Sequence, residues 1–393
     1  MKKKLSLYVH IPFCKSKCAY CDFLSFPGTT ASYHINYTNA ICNEIRMYKP
    51  FADRYKVETI YFGGGTPTYP DESIIEMIYN AIQSVFEVSE MAEITIEANP
   101  GTIKYTDMLA FKRYGFNRVS IGMQSADDEC LRKLGRIHTF EEFLDGYEDV
   151  RRAGFQNVNV DVMTGIPGQT IHSMVDTLTR VTELSPEHIS AYSLQVEDGT
   201  PLAEDEELLG ELPGDAADRR MYAMTKQILG AAGYSRYEIS NYAREGYRSR
   251  HNMVYWTGGE YIGFGLGSAS YFRGERLTNT KDYQSYVDIC SEISDAGYLT
   301  YEEVSRKLRE ETITMYVDNR MEEYMFLGLR MTAGVSKKEF KQRFGRDMLD
   351  IYGSVINKYV SGGFMEVTSD RVRLTDKGID VSNVILADFL LTV

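Results

Sequence analysis

"CKSKCAYC", residues 14–21, is the stretch that decides the fold of this 393-residue chain. Three residues separate Cys14 from Cys18, and two residues separate Cys18 from Cys21. Three thiols this close together are compatible with a disulfide framework, a zinc site or an iron–sulfur cluster. The rest of the sequence has to distinguish among these three.

The cysteine content argues against a disulfide framework. The chain has 6 cysteines, and Cys42, Cys130 and Cys290 lie singly, where small buried side chains are expected. Residues 1–14, MKKKLSLYVHIPFC, start with lysines, but their apolar run is too short and too interrupted for a signal peptide. No apolar run is long enough to span a membrane. We therefore expect a cytoplasmic protein with reduced thiols.

The overall composition is that of a folded protein with room for two domains. Hydrophobic residues make up 43% and charged residues 25% of the chain. The net charge of −13 argues against general affinity for nucleic acid or for anionic membranes. One basic stretch, KKEFKQRFGR at residues 337–346, is better explained as a solvated helix surface than as a nucleic-acid site.

Short runs rich in β-branched residues alternate with amphipathic helical segments, such as residues 71–86 and 139–154. This alternation predicts an α/β fold in which helices cover a parallel sheet, either open or closed into a barrel. The predicted strands are residues 5–11, 58–62, 93–98, 118–123, 157–163 and 188–194.

Polar residues or glycines stand at the carboxyl end of every one of these predicted strands. Ligands bind at this end of the strands in α/β barrels and open sheets. Ordinary loop composition explains any one of these positions, but it explains six consecutive ones poorly, so we expect a ligand site here. The residues concerned are His10, Gly63, Gly64, Gly65, Glu97, Asn99, Gln124, Asp161, Gln195 and Glu197.

The character of the sequence changes after residue 235. A further strand is predicted at 236–243, and no clean periodicity follows up to about residue 280. Helical patterns then return, and two short strands around Ser369 and Asp370 complete a winged-helix-like pattern. We therefore predict a strand–helix domain over 1–235, a connecting segment over 236–305 and a smaller C-terminal helical domain over 306–393.

The choice between zinc and an iron–sulfur cluster depends on the fourth ligand. A structural zinc ion needs four protein ligands, yet only His10 and His34 lie near the cysteines and no second C-x-x-C is present. Three thiolates suit a cluster that leaves one iron for another ligand. The spacing favours the cluster and leaves zinc as an alternative.

The cysteine motif after a first strand, followed by YFGGGTPT at residues 61–68, resembles the radical S-adenosylmethionine (SAM) superfamily. The resemblance implies a 4Fe–4S cluster on Cys14, Cys18 and Cys21, with SAM bound to the fourth iron through its amino and carboxylate groups. It also implies a partial (β/α)6 TIM-like barrel. An aromatic residue before the third cysteine, here Tyr20, is typical of the superfamily.

Within the superfamily the chain resembles the oxygen-independent coproporphyrinogen III oxidase-like group. Simpler explanations exist for single residues, such as a tight turn, a surface arginine or a helix cap. The resemblance implies instead that a set of positions binds SAM, and in the oxidases some of them serve a second SAM molecule. In this chain the set is Tyr8, Tyr20, Gly64, Gly65, Thr66, Glu97, Gln124, Arg136 and Asp161.

Two departures from the oxidases point to the heme chaperone subgroup of this group. The oxidases carry a long extension before the first cysteine and a fourth cysteine just after the third. Here thirteen residues precede Cys14, and Asp22 follows Cys21. Both features match the chaperone subgroup.

The segment RHNMVYW, residues 250–256, matches the H-N-x-x-Y-W motif that the subgroup associates with heme. The resemblance implies that His251 ligates heme iron and that Tyr255 and Trp256 offer flat faces to the macrocycle. Without the resemblance, a histidine packed beside two aromatic residues is the simpler interpretation.

The function expected from the resemblance is a heme chaperone that holds a 4Fe–4S cluster, SAM and heme and passes heme to acceptor proteins. The alternative is an oxygen-independent coproporphyrinogen III oxidase, an enzyme that decarboxylates its substrate by radical chemistry with SAM as the radical source. If SAM is cleaved, an electron donor for the cluster is also expected. A homodimer is compatible with the sequence.

Overall fold

The computed structural model describes residues 2–293 and 301–391, so residues 294–300 of the predicted connecting segment lie outside the described residues. Strands and helices alternate through the first half of the chain. The strands are β1 (Lys3–Ile11), β2 (Phe13–Cys14), β3 (Phe26–Pro27), β4 (Tyr55–Gly64), β5 (Val88–Ala98), β6 (Arg118–Gln124), β7 (Val158–Thr164) and β8 (His188–Ser193). The helices are α1 (Ala31–Met47), α2 (Lys49–Ala52), α3 (Glu72–Val85), α4 (Tyr105–Tyr114), α5 (Asp128–Lys133), α6 (Phe140–Arg152) and α7 (Ile171–Leu184), with a short 3-10 helix at Pro100–Thr102.

The six predicted strands all form, and they lie side by side in parallel in the order β1-β4-β5-β6-β7-β8. Their central residues are buried in near-continuous runs, as expected for parallel strands that are covered by helices. A helix follows each of these strands in sequence before the next one begins, apart from short inserted elements. The predicted partial (β/α)6 barrel is confirmed.

The middle of the chain extends this sheet at both edges. Its strands are β9 (Ser235–Arg236), β10 (Asn241–Ala243), β11 (Tyr261–Phe264), β12 (Ala269–Phe272), β13 (Glu275–Asn279) and β14 (Arg309–Thr314). Its helices are α8 (Glu206–Gly210), α9 (Asp215–Ala231), α10 (Arg250–Trp256), α11 (Tyr283–Ser291) and α12 (Tyr301–Leu308). β11 pairs in parallel with β1, and β12, β13 and β14 continue the sheet in antiparallel order. β11 was not predicted, because four buried residues are too few for a hydrophobic period to appear.

The C-terminal residues form a separate small unit. It contains the helices α13 (Val317–Gly328), α14 (Lys337–Phe344), α15 (Met348–Ser361), α16 (Asp376–Ile379) and α17 (Ser382–Ala387), and the strands β15 (Val335–Ser336), β16 (Met365–Val367) and β17 (Arg371–Leu374). β16 and β17 flank Ser369 and Asp370 as predicted, and β15 completes a three-stranded sheet. The predicted winged-helix-like arrangement is confirmed.

The two largest hydrophobic clusters of the described residues underlie this division. The first gathers buried residues between Leu5 and Leu308, and the second gathers buried residues between Met321 and Phe389. The sequence-based limits at 235 and 305 stay a proposal about folding units, which limited proteolysis would check. Among the described helices, none combines the length and the apolar character that crossing a membrane requires.

Candidate cofactor-binding site

A cavity of about 330 Å³ lies at the carboxyl ends of the parallel strands. It brings together most of the positions that the sequence marked as a ligand site. The predicted residues that line it are Cys14, Cys18, Tyr20, Cys21, Gly64, Gly65, Thr66, Glu97, Asn99, Gln124, Arg136 and Asp161. Tyr8, His251, Tyr255 and Trp256 are not among its lining residues.

Backbone hydrogen bonds hold the cysteine loop (residues 14–21) and the glycine turn (residues 63–66) in place. The N–H of Gly65 donates to the carbonyl of Ile11 at 2.9 Å, and the N–H of Thr66 donates to the carbonyl of Phe13 at 2.8 Å. The middle of the loop is tied down where Ala19 N–H donates to the carbonyl of Leu134 at 3.0 Å. The loop is therefore fixed at the mouth of the barrel by the strand ends themselves.

The cysteines fit an iron–sulfur cluster better than a single metal ion. Cys14, Cys18 and Cys21 are free thiols that line one cavity. Yet within residues 2–293 and 301–391 no three Cys, His, Asp or Glu side chains gather tightly enough to hold one ion. A zinc ion needs all its ligands around one centre, whereas in a cluster each thiolate binds a different iron.

Neighbouring donors and burial shape the chemistry of these thiols. Thr66 Oγ1 donates to Cys14 Sγ, and Arg136 Nη1 donates to Cys18 Sγ, each at 3.6 Å. Burial raises the pKa of Cys14, and it raises the pKa of Cys21 to about 11. Thiolates at such positions need a strong electrophile to stabilise them, and bound iron supplies one.

The glycine turn leaves no room for side chains. Gly64 has φ +112°, and a Cβ atom there would lie 2.4 Å from His10 Nδ1. A Cβ atom on Gly65 would lie 2.9 Å from the carbonyl oxygen of Ile11. Glycine is thus required for the close approach of the turn to the first strand.

Tyr8, predicted to contact SAM, lies beneath this turn rather than on the cavity wall. Its hydroxyl donates to His10 Nδ1 at 3.0 Å, while His10 Nε2–H donates to the carbonyl of Leu24 at 2.9 Å. In this structure Tyr8 therefore orients His10, which connects the first strand to the end of the cysteine loop.

Two carboxylates face the cavity with their oxygens already hydrogen bonded. Glu97 accepts from Tyr61 OH at 2.7 Å and from Gly64 N–H at 3.1 Å. Asp161 accepts from Asn159 Nδ2 at 2.7 Å and from Ser120 Oγ at 3.3 Å. Burial raises the pKa of both carboxyl groups, that of Glu97 to about 7, although these hydrogen bonds oppose the rise.

The raised pKa of Glu97 predicts a stability that depends on pH. Because the pKa of about 7 in the folded state exceeds the usual 4.5, the charged form is disfavoured on folding, and stability is lost as pH rises through this window. Glu97→Gln should remove this loss, which makes the cofactor-free variant more stable than the wild type by roughly 3 kcal/mol at pH 8 and much less so at pH 5. Urea unfolding at both pH values measures the difference.

The same substitution should weaken SAM binding by about 1–3 kcal/mol, since one oxygen that accepts hydrogen bonds becomes an NH2 donor. Calorimetry with SAM checks this second effect. A variant with equal stability gains at pH 5 and pH 8 and unchanged SAM affinity would contradict the assignment of Glu97.

Gln124 and Arg136 close another side of the cavity. Gln124 ends β6 in the left-handed region with φ 69°, which is rare for a residue with a side chain. Arg136 Nη2 donates to the carbonyl of Gly122 at 2.6 Å, which fixes the guanidinium beside the cysteine loop. Residues with a strained backbone, such as Gln124, are concentrated at functional sites.

The predicted heme motif forms α10, which is attached to the barrel by its first turn. The carboxylate of Glu93 accepts from the backbone N–H of Arg250 at 3.0 Å and of His251 at 2.9 Å. A carboxylate at a helix N-terminus satisfies donors that lack partners within the helix. Asn252, the next residue, lines the cofactor cavity.

His251 is buried, with 1% of its surface exposed, and both ring nitrogens are hydrogen bonded. Nδ1 lies 2.8 Å from Thr59 Oγ1, and the Thr59 hydroxyl donates its proton to Ser6 Oγ at 2.7 Å. His251 Nδ1–H is therefore the donor to Thr59, and Nε2 accepts from Tyr255 OH at 2.8 Å. Burial, and after it the charge of Arg118, lower the pKa of His251 to about 3, so the ring is neutral at pH 7.

The imidazole of His251 also contacts the cofactor site. Its ring stacks on Tyr61 with centroids 5.1 Å apart, and Tyr61 is the donor to Glu97. Tyr255 packs edge-on against Tyr261 at 4.7 Å, while the face of Trp256 is covered by the Arg330 guanidinium at 4.6 Å. The three predicted heme residues thus do not form one open surface in this structure.

The sequence interpretation missed several residues that line the cavity. Arg118, Ser120 and Gly122 alternate along β6 with the predicted Gln124, and all four line the cavity. Every second residue of RVSIGMQ (residues 118–124) lies on the same face of the strand, which could have been predicted, but only Gln124 at its end was assigned to the site. Of the strand-end positions, four are outside the lining: His10, Gly63, Gln195 and Glu197.

Comparison with known proteins agrees with this geometry. The Radical SAM superfamily family matches residues 8–181, and the HemN C-terminal domain family matches residues 317–381. The structure is similar to that of coproporphyrinogen III oxidase (HemN) from Escherichia coli, a radical SAM enzyme, with a TM-score of 0.85 and 23% identity over 100% of this chain and 91% of that one. This structural likeness shows a shared fold.

Full-length relatives define the family more closely. The chain is 34% identical over 389 residues to the heme chaperone HemW of Bacillus subtilis, a match that covers 98% of this chain and 99% of that protein. It is 31% identical over 392 residues to the heme chaperone HemW of Lactococcus lactis, covering 100% of this chain and 98% of the relative. The chain therefore belongs to the HemW family within the radical SAM superfamily.

Proposed function

We propose that this protein is a heme chaperone built on a radical SAM scaffold, which binds a 4Fe–4S cluster, SAM and heme and transfers heme to acceptor proteins. The observation that carries the proposal is the 34% identity to a heme chaperone over 98% of this chain. Support comes from three free cysteines that line one cavity together with hydrogen-bonding residues suited to SAM.

In this proposal Cys14, Cys18 and Cys21 hold the cluster, which supplies an iron for the amino and carboxylate groups of SAM. Glu97 and Asp161 accept hydrogen bonds from polar groups of SAM, and the glycine turn lets its backbone approach the ligand closely. Tyr20, Thr66, Gln124 and Arg136 complete the wall of the same cavity.

We further propose that His251 ligates heme iron through Nε2, the nitrogen that carries its lone pair. The Tyr255 hydroxyl occupies this nitrogen in the structure and has to be displaced, while the buried bond from Nδ1 to Thr59 keeps the ring in place. A neutral imidazole with its other nitrogen hydrogen bonded is the usual form of a histidine ligand to a metal. Tyr255 and Trp256 then pack against the macrocycle.

This arrangement predicts opposite effects of two substitutions on hemin affinity. Tyr255→Phe keeps the aromatic face but removes the competing hydroxyl, so hemin should bind about fivefold more tightly, as expected for one hydrogen bond. His251→Ala should weaken binding. Titration with hemin, followed by the Soret band, measures both and should saturate near one heme per chain for the wild type.

Tyr352→Phe is the matched control, because it removes a buried hydroxyl that has no hydrogen-bond partner in the part of the chain that the structure describes. Its hemin affinity should equal that of the wild type. If hemin bound equally well to the Tyr255 and His251 variants, the iron ligand would lie elsewhere.

The cellular location, the electron donor and the oligomeric state are also proposals. We propose a cytoplasmic location, where thiols stay reduced and available to iron, and an electron donor for the cluster if SAM is cleaved. A homodimer remains a sequence-based prediction, which light scattering of the purified protein checks.

A further inference from the structure

Arg118, the first residue of β6, has an unusual environment. It is 2% exposed and lines the cofactor cavity. Among the described residues none accepts a hydrogen bond from its guanidinium or forms an ion pair with it, and its Nε is fully buried without a partner. The sequence interpretation assigned it no role.

Arg118 lies at the amino-terminal end of β6, whereas the cysteine loop lies at the carboxyl ends of the strands. Glu97 pairs with Ser120, and Asp161 pairs with Gly122, so both carboxylates belong to higher levels of the sheet. Four residues of strand separate Arg118 from Gly122, which corresponds to about 13 Å. The side chain thus approaches the cavity from the end opposite to the cysteines.

A buried guanidinium with no acceptor is costly. It carries five N–H donors, and an unpaired buried charge destabilises a fold by several kcal/mol. The charges of Glu97 and Asp161 attract the guanidinium, but neither carboxylate accepts a hydrogen bond from it, since their oxygens accept from other donors. A cation held in this way, facing a cavity, is typical of a binding site for an anion.

We infer that Arg118 binds a carboxylate group of a ligand that enters the barrel from the cysteine side. The planar guanidinium matches a carboxylate with two parallel hydrogen bonds, the strongest pairing available to it. Asn252 lines the same cavity and offers a further polar group for this end of the ligand, whereas Asn159 and Ser190 line it with side chains that hydrogen bond within the protein.

The inference rests on the proposed function for the identity of the ligand. Heme carries two propionates. A second SAM molecule carries one methionine carboxylate, whereas the carboxylate of the first SAM binds the cluster iron in the proposed function. Burial and then the charge of Arg118 lower the pKa of His251, so the guanidinium lies within electrostatic range of the proposed iron ligand. Both sources share the carboxylate, and the experiment separates them.

Arg118→Gln and Arg118→Lys test the inference through pairs of ligands that differ only in the carboxylate. Hemin is compared with hemin dimethyl ester, and SAM with decarboxylated SAM, in protein reconstituted with its cluster. Arg118→Gln should bind one of the two carboxylate-bearing ligands, hemin or SAM, about tenfold or more weakly than the wild type does. Its affinity for the matching ligand without the carboxylate should change little. Arg118→Lys keeps the charge without the planar fork and should give an intermediate loss.

Arg244→Gln is the matched control, because Arg244 also has a buried Nε without a partner in the described chain but does not line the cavity. A selective loss for hemin identifies a propionate, and a selective loss for SAM identifies the methionine carboxylate. If Arg118→Gln is too unstable to assay, the lysine variant still reports on the same ligand pairs.

Unchanged affinity of both Arg118 variants for both acids would overturn the inference and leave Arg118 as a counter-charge to Glu97 and Asp161. A wild-type protein that binds no hemin would instead overturn the proposed function, while the SAM pair would still decide the role of Arg118.

Discussion

Replacement of Cys14, Cys18 or Cys21 by alanine is expected to abolish cluster assembly. Anaerobic reconstitution of the wild type should give about four irons per chain and a charge-transfer absorbance in the visible range. Each variant should take up little iron, because the three thiols are the cysteines that line the cavity and a cluster with two protein ligands is unstable. Iron analysis and absorbance spectra measure the loss.

The other three cysteines supply the controls for this experiment. Cys42, Cys130 and Cys290 are buried within helices α1, α5 and α11, and none of them lines the cavity. Their alanine variants should keep the full iron content. Stoichiometric zinc without iron uptake in the wild type would restore the zinc alternative.

Gly64→Ala is expected to disrupt both the fold of the turn and SAM binding. The added Cβ would lie 2.4 Å from His10 Nδ1 at a residue whose φ is +112°, so both a steric clash and backbone strain oppose it. His10 cannot easily give way, because hydrogen bonds with Tyr8 and Leu24 fix both of its ring nitrogens. We expect a loss of at least about 2 kcal/mol in the free energy of unfolding.

The displacement of His10 should also reach the cysteine loop through Leu24, so SAM affinity of the reconstituted variant should fall by about tenfold or more. Gly28→Ala is the control: Gly28 also has a positive φ, +68°, but a Cβ there meets no atom within 4 Å. It should show only the smaller cost of backbone strain. Equal stability losses in both variants, with SAM affinity retained, would contradict this account of the turn.

Most of the barrel was predictable from the sequence, because buried parallel strands leave continuous apolar runs separated by amphipathic helices. The six parallel strands of the barrel, which are β1, β4, β5, β6, β7 and β8, were predicted in this way. β11 escaped detection because only four residues, Tyr261–Phe264, form it. α10 escaped for a similar reason, since a helix of seven residues gives too few turns to show a hydrophobic face.

The cysteines and strand ends that line the cofactor cavity could be predicted from the sequence to the same degree. The roles of Tyr8 and Arg118 could not. The cysteines and the strand ends are marked by residue type and by position along the chain. The roles of Tyr8 and Arg118 depend on which residues lie opposite them across the barrel. Tyr8 orients His10, and Arg118 faces a cavity without a protein partner. Pairings of that kind are fixed by tertiary packing, which one sequence does not encode in any local pattern.

Offering the reconstituted protein both tasks tests whether the scaffold carries heme or decarboxylates a porphyrinogen. Heme-loaded protein mixed with apomyoglobin should transfer its heme, seen as the growth of the acceptor's Soret band. The same preparation with SAM, a reductant and coproporphyrinogen III should form no decarboxylated product. Efficient turnover of coproporphyrinogen III by protein that neither binds nor transfers heme would contradict the proposal and establish the oxidase alternative.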